Sequence, residues 1–280
     1  MPTSTDLHIM ADTRPIGVFD SGIGGLTVAS AIMKRLPGEH LLYFGDTAHL
    51  PYGDKSPELI TRYSLGITRF LMSHHVKAIV IACNTASSLG GKAVEAFVGN
   101  EIPVINVIDP TVRYVNNHYT VGKVGLIATK ATVKSGIYSR KLHELNPAMP
   151  VEEVATPLLA PMIEEGFFDN NISKTIINSY LSNRRLKPVK KLILGCTHYP
   201  LILPEIERFY QGKVEIVDSA FQVAEALAAA LEERNWLNTE QTKGRRTFYV
   251  SDFTESFQKS ARLFFGNKLQ LQQIDLWKDL

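Results

Sequence analysis

The chain has 280 residues, 45% of them hydrophobic, and it carries 30 basic and 28 acidic side chains for a formal net charge of +2. This length fits two domains with a buried core, and the near balance of charge argues against a surface for nucleic acid or an anionic membrane. No apolar run is close to the length of about 20 residues that a membrane-spanning helix needs. Residues 1–14 lack the order of a signal peptide, in which a basic segment precedes an apolar one. We therefore expect a cytoplasmic protein whose partner is a small molecule, with residues 1–14 as a flexible leader.

Short apolar and β-branched runs alternate with helical patterns along the chain. One helix is predicted to begin after Ser56, an N-cap residue followed by Pro57. Its apolar face comprises Leu59, Ile60, Tyr63, Ile67, Phe70 and Leu71. The predicted strands cover residues 16–19, 41–45, 78–82, 104–108, 124–128, 152–155, 192–195, 214–217 and 247–250. Apolar strands that alternate with helices are typical of an α/β fold with doubly wound, mostly parallel sheets covered on both faces.

An internal repeat suggests that the fold is duplicated. Residues 76–85 resemble residues 189–198, since each is an apolar strand that ends in cysteine, and residues 16–21 resemble residues 124–129. Asp20 precedes Cys83 by 63 residues, and Thr129 precedes Cys196 by 67. Chance similarity between hydrophobic strands is the alternative, but two aligned pairs at similar separation favour duplication. We predict two similar domains related by pseudo-symmetry, with the active site in the crevice between them.

The repeat also suggests where the domains begin and end. Residues 15–111 are predicted to form the first α/β domain, and residues 112–217 the second. Helix and strand patterns continue after the second cysteine, so we expect residues 218–280 to complete the first domain.

Cys83 and Cys196 are the only cysteines in the chain, 113 positions apart. A disulfide would be possible, but a chain without an export signal is normally kept reduced, so we expect free thiols. Each cysteine ends a strand before a predicted helix, whose N-terminal amides would stabilise a thiolate. Inert buried thiols are the alternative. The matching positions of the two cysteines in the repeat favour a functional pair.

The glycine-rich turn over residues 20–27 is predicted to approach an anion. It is not a dinucleotide fingerprint, because the third glycine of G-x-G-x-x-G would fall on Thr27, and it lacks the lysine of a P-loop. Its glycines would let backbone amides point at a small anion, with Asp20 beside that anion as an orienting or proton-handling carboxylate.

Other polar side chains admit a structural or a functional interpretation. In the functional interpretation, His198 is a titratable neighbour of Cys196. In the structural one, Thr197 caps a helix and His198 has no chemical role. Residues 46–53 are predicted to form a loop after a strand. In the structural interpretation, this loop is only a tight turn. The histidine pair His74–His75 has no carboxylate or cysteine at the spacing of a metal site, so it predicts the end of a surface helix.

Together these residues resemble the glutamate racemase family of the aspartate/glutamate racemase superfamily. The matching segments, in the family's order, are residues 19–25 (FDSGIGG), 51–53 (PYG), 82–86 (ACNTA) and 195–201 (GCTHYPL). The likeness extends from about Pro15 to beyond Phe257. His198 is similar to the glutamate-specific branch, whereas aspartate racemases tend to have an acid at that position.

The resemblance implies interconversion of L- and D-glutamate without a cofactor or metal, which supplies D-glutamate for peptidoglycan of the cell wall. It implies that Cys83 and Cys196 are the two acid–base groups, that Asp20 assists Cys83 and His198 assists Cys196, and that Glu164 is a further catalytic carboxylate. The implied substrate-binding residues are Asp20, Ser21, Pro51, Tyr52, Gly53, Asn84, Thr85, Thr129, Thr197 and His198. Homodimerisation is left open.

Three alternatives remain at this point. The same scaffold could racemise another small acid, such as aspartate or a hydantoin-like compound. The chain could be a small-ligand-binding or partner-regulating module without catalysis. A nucleotide-dependent oxidoreductase ranks last, because the glycine spacing does not fit.

Overall fold

The structure is a computed structural model, which describes residues 12–240, 242–253, 255–265 and 271–278. The strands are β1 (Ile16–Asp20), β2 (Leu41–Gly45), β3 (Ala78–Ile81), β4 (Val104–Asn106), β5 (Lys123–Ala128), β6 (Val151–Ala155), β7 (Val189–Gly195), β8 (Glu215–Val217), β9 (Arg246–Val250) and β10 (Leu271–Gln273). The helices are α1 (Leu26–Arg35), α2 (Pro57–Ser73), α3 (Asn84–Leu89), α4 (Gly91–Val98), α5 (Ile108–Asn117), α6 (Lys130–Ser135), α7 (Ile137–Leu145), α8 (Leu159–Glu164), α9 (Asn171–Leu181), α10 (Leu203–Tyr210), α11 (Ser219–Glu233) and α12 (Glu255–Phe265). Short 3-10 helices cover Thr47–His49, Tyr52–Asp54, Arg184–Leu186 and Tyr199–Ile202.

The strands form two parallel sheets with the same internal order. One sheet has the order β10-β9-β2-β1-β3-β4 and the other β6-β5-β7-β8, and every pair of neighbouring strands is parallel. The run β2-β1-β3-β4 is therefore repeated as β6-β5-β7-β8. This repeat confirms the prediction of an α/β fold with two similar, doubly wound halves related by pseudo-symmetry.

Apolar side chains cover both faces of both sheets, because successive residues of a strand point to opposite faces. In β1, Val18 packs into a central core, whereas Phe19 packs into an outer core with α2 and α4. In β5, Leu126 belongs to the same central core, whereas Ile127 belongs to a second outer core with α8 and α9. The two halves thus share one continuous core between their sheets.

The C-terminal strands β9 and β10 extend the first sheet beside β2. Helix α11, which follows β8, packs against α1 and α5 in the central core. The domain limits given above stay predictions. Residues 1–11 of the predicted leader lie outside the described residues; in the remainder, the Asp12 carbonyl accepts a hydrogen bond from Lys77 Nζ at 2.6 Å.

The predicted strand ends agree with the structure to within one residue except at β4 and β7. Strand β7 begins at Val189, three residues before the predicted start. Strand β4 ends at Asn106, two residues early, because the Asn106 Oδ1 atom accepts the amides of Ile108 and Asp109 and starts α5 there. Ser56 caps α2 through the Leu59 amide as predicted, but the Leu59 side chain is 38% exposed and does not join the buried face. Strand β10 was not predicted.

Candidate active site

A cleft between the two halves contains both cysteines. Cys83 follows β3 and Cys196 follows β7, which are equivalent strands, and both residues are buried free thiols as predicted. The space is about 570 Å³, part of it open to solvent. Its walls are Ser21, Leu50, Pro51, Tyr52, Gly53, Asp54, Cys83, Asn84, Thr85, Thr129, Lys130, Thr156, Pro157, Ala160, Pro161, Glu164, Cys196, Thr197 and His198. Of the predicted site residues, Asp20 alone is absent from these walls.

Cys83 lies at the start of a short helix. It is the N-cap residue of α3, and its Sγ atom accepts a hydrogen bond from the Ala86 amide at 3.4 Å and lies 3.8 Å from Ser21 Oγ. Burial and the charge of Asp20 raise the pKa of the Cys83 thiol well above its ordinary value, and the Ala86 amide opposes them only in part. The helix amide therefore acts on Cys83 as expected and favours the thiolate, but burial and Asp20 outweigh it, so the net shift of the pKa is upward.

Asp20 lies behind the cleft wall, fully buried at the end of β1. Its Oδ2 atom accepts the amides of Gly22 at 3.0 Å and Gly25 at 2.9 Å, and its Oδ1 atom accepts the Thr197 hydroxyl at 3.3 Å. The carboxylate of Asp20 thus occupies two amides of the glycine-rich turn. The prediction that this turn offers its amides to an external anion is corrected for these two groups.

The glycines of this turn permit close packing against the second half. A Cβ atom on Gly24 would lie 2.3 Å from Thr197 Oγ1 and 2.8 Å from the His198 ring. A Cβ atom on Gly25 would lie 2.4 Å from the Cβ atom of Asp20. Both distances are too short for a side chain, so the turn needs glycine for steric reasons.

Cys196 has a histidine and a carboxylate as neighbours. His198 Nδ1 lies 3.4 Å from Cys196 Sγ, and His198 Nε2 lies 2.8 Å from Glu164 Oε1, in an ion-pair contact that is not aligned as a hydrogen bond. Burial lowers the pKa of His198, but the charge of Glu164 and the contact with Cys196 outweigh burial, and the pKa is raised well above its ordinary value. These neighbours therefore favour the protonated form of the imidazole.

The backbone after Cys196 differs from that after Cys83. The next helix is the 3-10 turn Tyr199–Ile202, so Cys196 is not an N-cap residue, and its carbonyl accepts the Tyr199 amide at 3.1 Å. A helix follows each cysteine as predicted, directly in the case of Cys83 and three residues later, at Tyr199, in the case of Cys196. The Tyr199 hydroxyl and Thr156 Oγ1 lie 2.6 Å apart below this turn.

The register of the strands identifies the counterpart of each loop residue. Phe19 pairs with Ile81 and Ile127 pairs with Leu194, and each of these partners lies two residues before a cysteine. Phe19 and Ile127 are therefore equivalent positions. One residue further along, Asp20 corresponds to Ala128, and two residues further along, Ser21 corresponds to Thr129. Thr129 is therefore the counterpart of Ser21, and the second half has no carboxylate at the position of Asp20.

Threonine and asparagine side chains connect the two halves at the cleft. Thr85 Oγ1 lies 3.0 Å from Thr129 Oγ1 and 3.4 Å from Thr132 Oγ1. Asn84 Oδ1 accepts the Tyr138 hydroxyl at 2.6 Å, and Asn84 Nδ2 is buried without a hydrogen-bond partner among the described residues. The Asn84 Nδ2 group is therefore a donor that a ligand in the cleft can use.

A buried carboxylate that the sequence analysis did not single out anchors the loop over residues 46–54. Asp46 accepts hydrogen bonds from the Tyr52 hydroxyl at 2.6 Å, Ser251 Oγ at 2.8 Å and Trp277 Nε1 at 2.9 Å. His49 Nδ1 lies 3.0 Å from both oxygens of Asp46. The position of Tyr52 in the cleft wall therefore depends on side chains near the C-terminal end of the chain.

Seven wall residues were not predicted: Leu50, Asp54, Lys130, Thr156, Pro157, Ala160 and Pro161. Lys130 Nζ lies 3.4 Å from Asp54 Oδ1, in an ion pair that joins the halves. Adjacency to Pro51, Gly53 and Thr129 is the sequence signal that could have identified Leu50, Asp54 and Lys130.

Among the described residues, no group of three His, Cys, Asp or Glu side chains could hold a metal ion. No described helix is long and apolar enough to cross a membrane.

The chain is similar to known proteins over nearly its whole length. Residues 24–227 match the model of the Asp/Glu/Hydantoin racemase family. Glutamate racemase of Neisseria meningitidis serogroup A is 42% identical over 264 residues, which are 94% of this chain and 97% of that protein. The structure of glutamate racemase from Francisella tularensis in complex with D-glutamate has a TM-score of 0.88 at 40% identity, covering 95% of this chain and 99% of that one. That of Thermus thermophilus, in complex with beta-chloro-D-alanine, has a TM-score of 0.84 at 38% identity, covering 96% and 100%.

Proposed function

Because the chain belongs to the Asp/Glu/Hydantoin racemase family, we propose that it interconverts L- and D-glutamate with Cys83 and Cys196 as two acid–base groups and without a cofactor. The observation that carries this proposal is that the two thiols end equivalent strands of the two halves and line one cleft. Their arrangement suits a reaction that must treat both faces of one carbon.

Racemisation removes the proton from Cα on one face and returns a proton on the opposite face. In the proposed reaction, the thiolate of one cysteine takes the Cα proton, and the bonding electron pair stays on Cα and its carboxylate. The thiol of the other cysteine then donates its proton to Cα from the opposite side. The two cysteines end with exchanged protonation states, so the reverse reaction starts from the other thiolate. A thiol with a raised pKa suits this step, since its thiolate is a stronger base toward a weakly acidic C–H bond.

Different groups support the two thiols in this proposal. The charge of Asp20 acts on Cys83 by adding to the effect of burial, and together they raise the pKa of that thiol. The protonated His198, paired with Glu164, faces Cys196 and places a positive charge beside its thiolate. These are the catalytic roles that the family resemblance implies for the three residues.

The negative charge that develops on the substrate requires preorganised donors, because no cofactor delocalises it. The proposed donors are hydroxyl, amide and backbone groups in the cleft wall. They belong to Ser21, Tyr52, Gly53, Asn84, Thr85, Thr129, Thr197 and His198, whereas Pro51, which has no N–H group, would contact the substrate through its ring. Enclosure between the two halves strengthens each donor by excluding water.

The proposed product, D-glutamate, would serve peptidoglycan synthesis for the cell wall, and the enzyme would act in the cytoplasm. Homodimer formation stays open.

A coupled assay tests this function. L-Glutamate is supplied without added cofactor, and D-glutamate is measured with a D-specific second enzyme, with L-aspartate and a hydantoin as parallel substrates. Formation of D-glutamate at a rate well above those of the other two supports the proposal. Saturable binding of glutamate without turnover would instead indicate a binding module, and preferential turnover of another acid would reassign the substrate.

A further inference from the structure

One buried hydrogen bond at the cleft crosses from one half to the other and has no part in the proposed proton transfers. Asn84 is the first residue of α3 in the first half, and Tyr138 lies in α7 of the second half. The Tyr138 hydroxyl donates to Asn84 Oδ1 at 2.6 Å, and both side chains are almost completely buried.

The Asn84 amide is satisfied at one end only. Its oxygen accepts from Tyr138, whereas its Nδ2 group is buried and has no partner among the described residues. Buried polar groups are nearly always hydrogen-bonded, and an unpaired donor in a wall of a cleft indicates a ligand that accepts its protons. Asn84 lines the cleft, so the missing acceptor belongs there.

The direction of the amide matters for an anionic ligand. An asparagine side chain turned by 180° would offer oxygen in place of nitrogen, and an oxygen facing a carboxylate is repulsive. Burial, together with the charges of Asp109, Cys196 and Glu153, raises the pKa of Tyr138 far above its ordinary value. The phenol therefore stays protonated and acts as a hydrogen-bond donor toward the amide oxygen.

We propose that Tyr138 is a positioning residue that fixes the Asn84 amide with its Nδ2 group toward a carboxylate of the bound substrate. The inference rests on the proposed function for the identity of the substrate. It assigns to the second half a residue that orients a ligand-binding group of the first half. Binding of the carboxylate and apposition of the two halves are coupled through this one bond.

The test is Tyr138→Phe, which removes the hydroxyl and keeps the ring. We expect KM for glutamate to rise by about tenfold, the effect of losing one hydrogen bond, with a smaller change in kcat. The matched control is Tyr210→Phe, because the Tyr210 hydroxyl is buried at the end of α10 without a hydrogen-bond partner among the described residues and lies outside the cleft wall. Its kinetics should equal those of the unaltered protein.

A double-mutant cycle separates positioning from general support of the fold. If Tyr138 acts through the amide, then Tyr138→Phe has no further effect on KM once Asn84→Ala has removed that amide. Equal effects of Tyr138→Phe with and without Asn84 would overturn the proposal. So would a loss that falls on kcat alone.

A measurement on the unaltered protein keeps the inference testable if Tyr138→Phe does not fold. The side-chain ¹⁵N–¹H₂ resonances of Asn84, assigned by their absence from Asn84→Ala, should shift when D-glutamate is added. Unmoved resonances at saturating D-glutamate would contradict the inference. The NMR measurement requires binding of D-glutamate but no turnover. Absence of racemisation would therefore contradict the proposed function, whereas the shift of the Asn84 resonances would still test the positioning of Asn84.

Discussion

Cys83 and Cys196 occupy equivalent strand ends, but the groups beside them differ in kind. Cys83 has a helix amide and a buried carboxylate as neighbours, and its pKa is raised. Cys196 has the His198–Glu164 pair. At the scale of single residues, the pseudo-symmetry of the fold therefore extends to the thiols and not to the groups that tune them.

Replacing either thiol tests the proposed pair. Cys83→Ser and Cys196→Ser should each lower the rate of D-glutamate formation by about 10²–10⁴-fold, since a serine hydroxyl is too weak an acid to replace a thiol in proton transfer. Circular dichroism and the melting temperature serve as controls for the fold. Turnover close to that of the unaltered protein in either variant would remove that cysteine from the pair.

Replacing Glu164 tests the electrostatics around His198. Glu164→Gln removes the negative charge 2.8 Å from His198 Nε2, so the pKa of His198 should fall. Titration of the His198 ring by NMR measures this shift directly. An unchanged pKa would mean that another group holds the proton on the imidazole.

The same ion pair links stability to pH. The pKa of His198 is raised above its ordinary 6.5 in the folded protein. The ion pair therefore makes its full contribution to the stability of the folded protein below pH 6.5. That contribution is lost as the pH rises through the pKa of His198 in the folded protein. The melting temperature should differ more between the unaltered protein and Glu164→Gln at about pH 6 than in alkaline solution. A difference that grows as pH rises would contradict this sign.

At the scale of elements, the turn between β1 and α1 decides how closely the halves meet. Its glycines permit contact with Thr197 and His198, and the carboxylate of Asp20 holds its amides. Packing explains Gly24, and packing together with a hydrogen bond to Asp20 explains Gly25. The cleft geometry depends on this turn because its neighbours are wall residues.

Gly24→Ala should therefore impair catalysis. A Cβ atom 2.3 Å from Thr197 Oγ1 must displace the turn or the wall, and displacements of about 1 Å at a reacting centre cost about 10²-fold in rate. The matched control is Gly91→Ala in α4, where an added Cβ atom meets nothing within 4 Å. Comparison of kcat/KM for the two variants measures the effect, and equal values would show that the turn can yield without consequence.

Contacts between distant segments explain what the sequence could not predict. The strand ends with Cys83 and Cys196 were predicted because local apolar patterns and the repeat mark them. The hydrogen bonds of Asp46 with Ser251 and Trp277 span more than 200 residues, and no local pattern indicates them. No local pattern indicates the bond between Asn84 and Tyr138 either, which are 54 residues apart. Strand β10 was missed because its three residues include two glutamines.

At the scale of the whole molecule, the two halves share a central core. Val18 and Val80 from the first sheet and Leu126 and Ile193 from the second belong to one buried cluster. Apolar packing of this kind holds the relative position of the sheets, and with it the position of the two thiols on either side of the cleft.

Opposed thiols give a distinctive isotope pattern. With L-glutamate in deuterated water, the proton returned to Cα comes from a thiol that has exchanged with solvent. Early D-glutamate should therefore carry deuterium at Cα, while recovered L-glutamate stays largely unlabelled. Proton NMR of both pools at low conversion measures this. Substantial early deuterium in L-glutamate would indicate a single base that returns protons to the face from which it took them.

The unequal surroundings of the two thiols have a kinetic consequence. Mirror-image substrates have equal free energy in solution, so the equilibrium constant of racemisation is unity. The Haldane relationship then requires kcat/KM to be the same for both enantiomers, whatever lies beside Cys83 and Cys196. A carboxylate on one side and an imidazolium on the other can still make the two bound states differ in energy. Any such difference must change kcat and KM by the same factor, so the enantiomer with the lower KM also has the lower kcat.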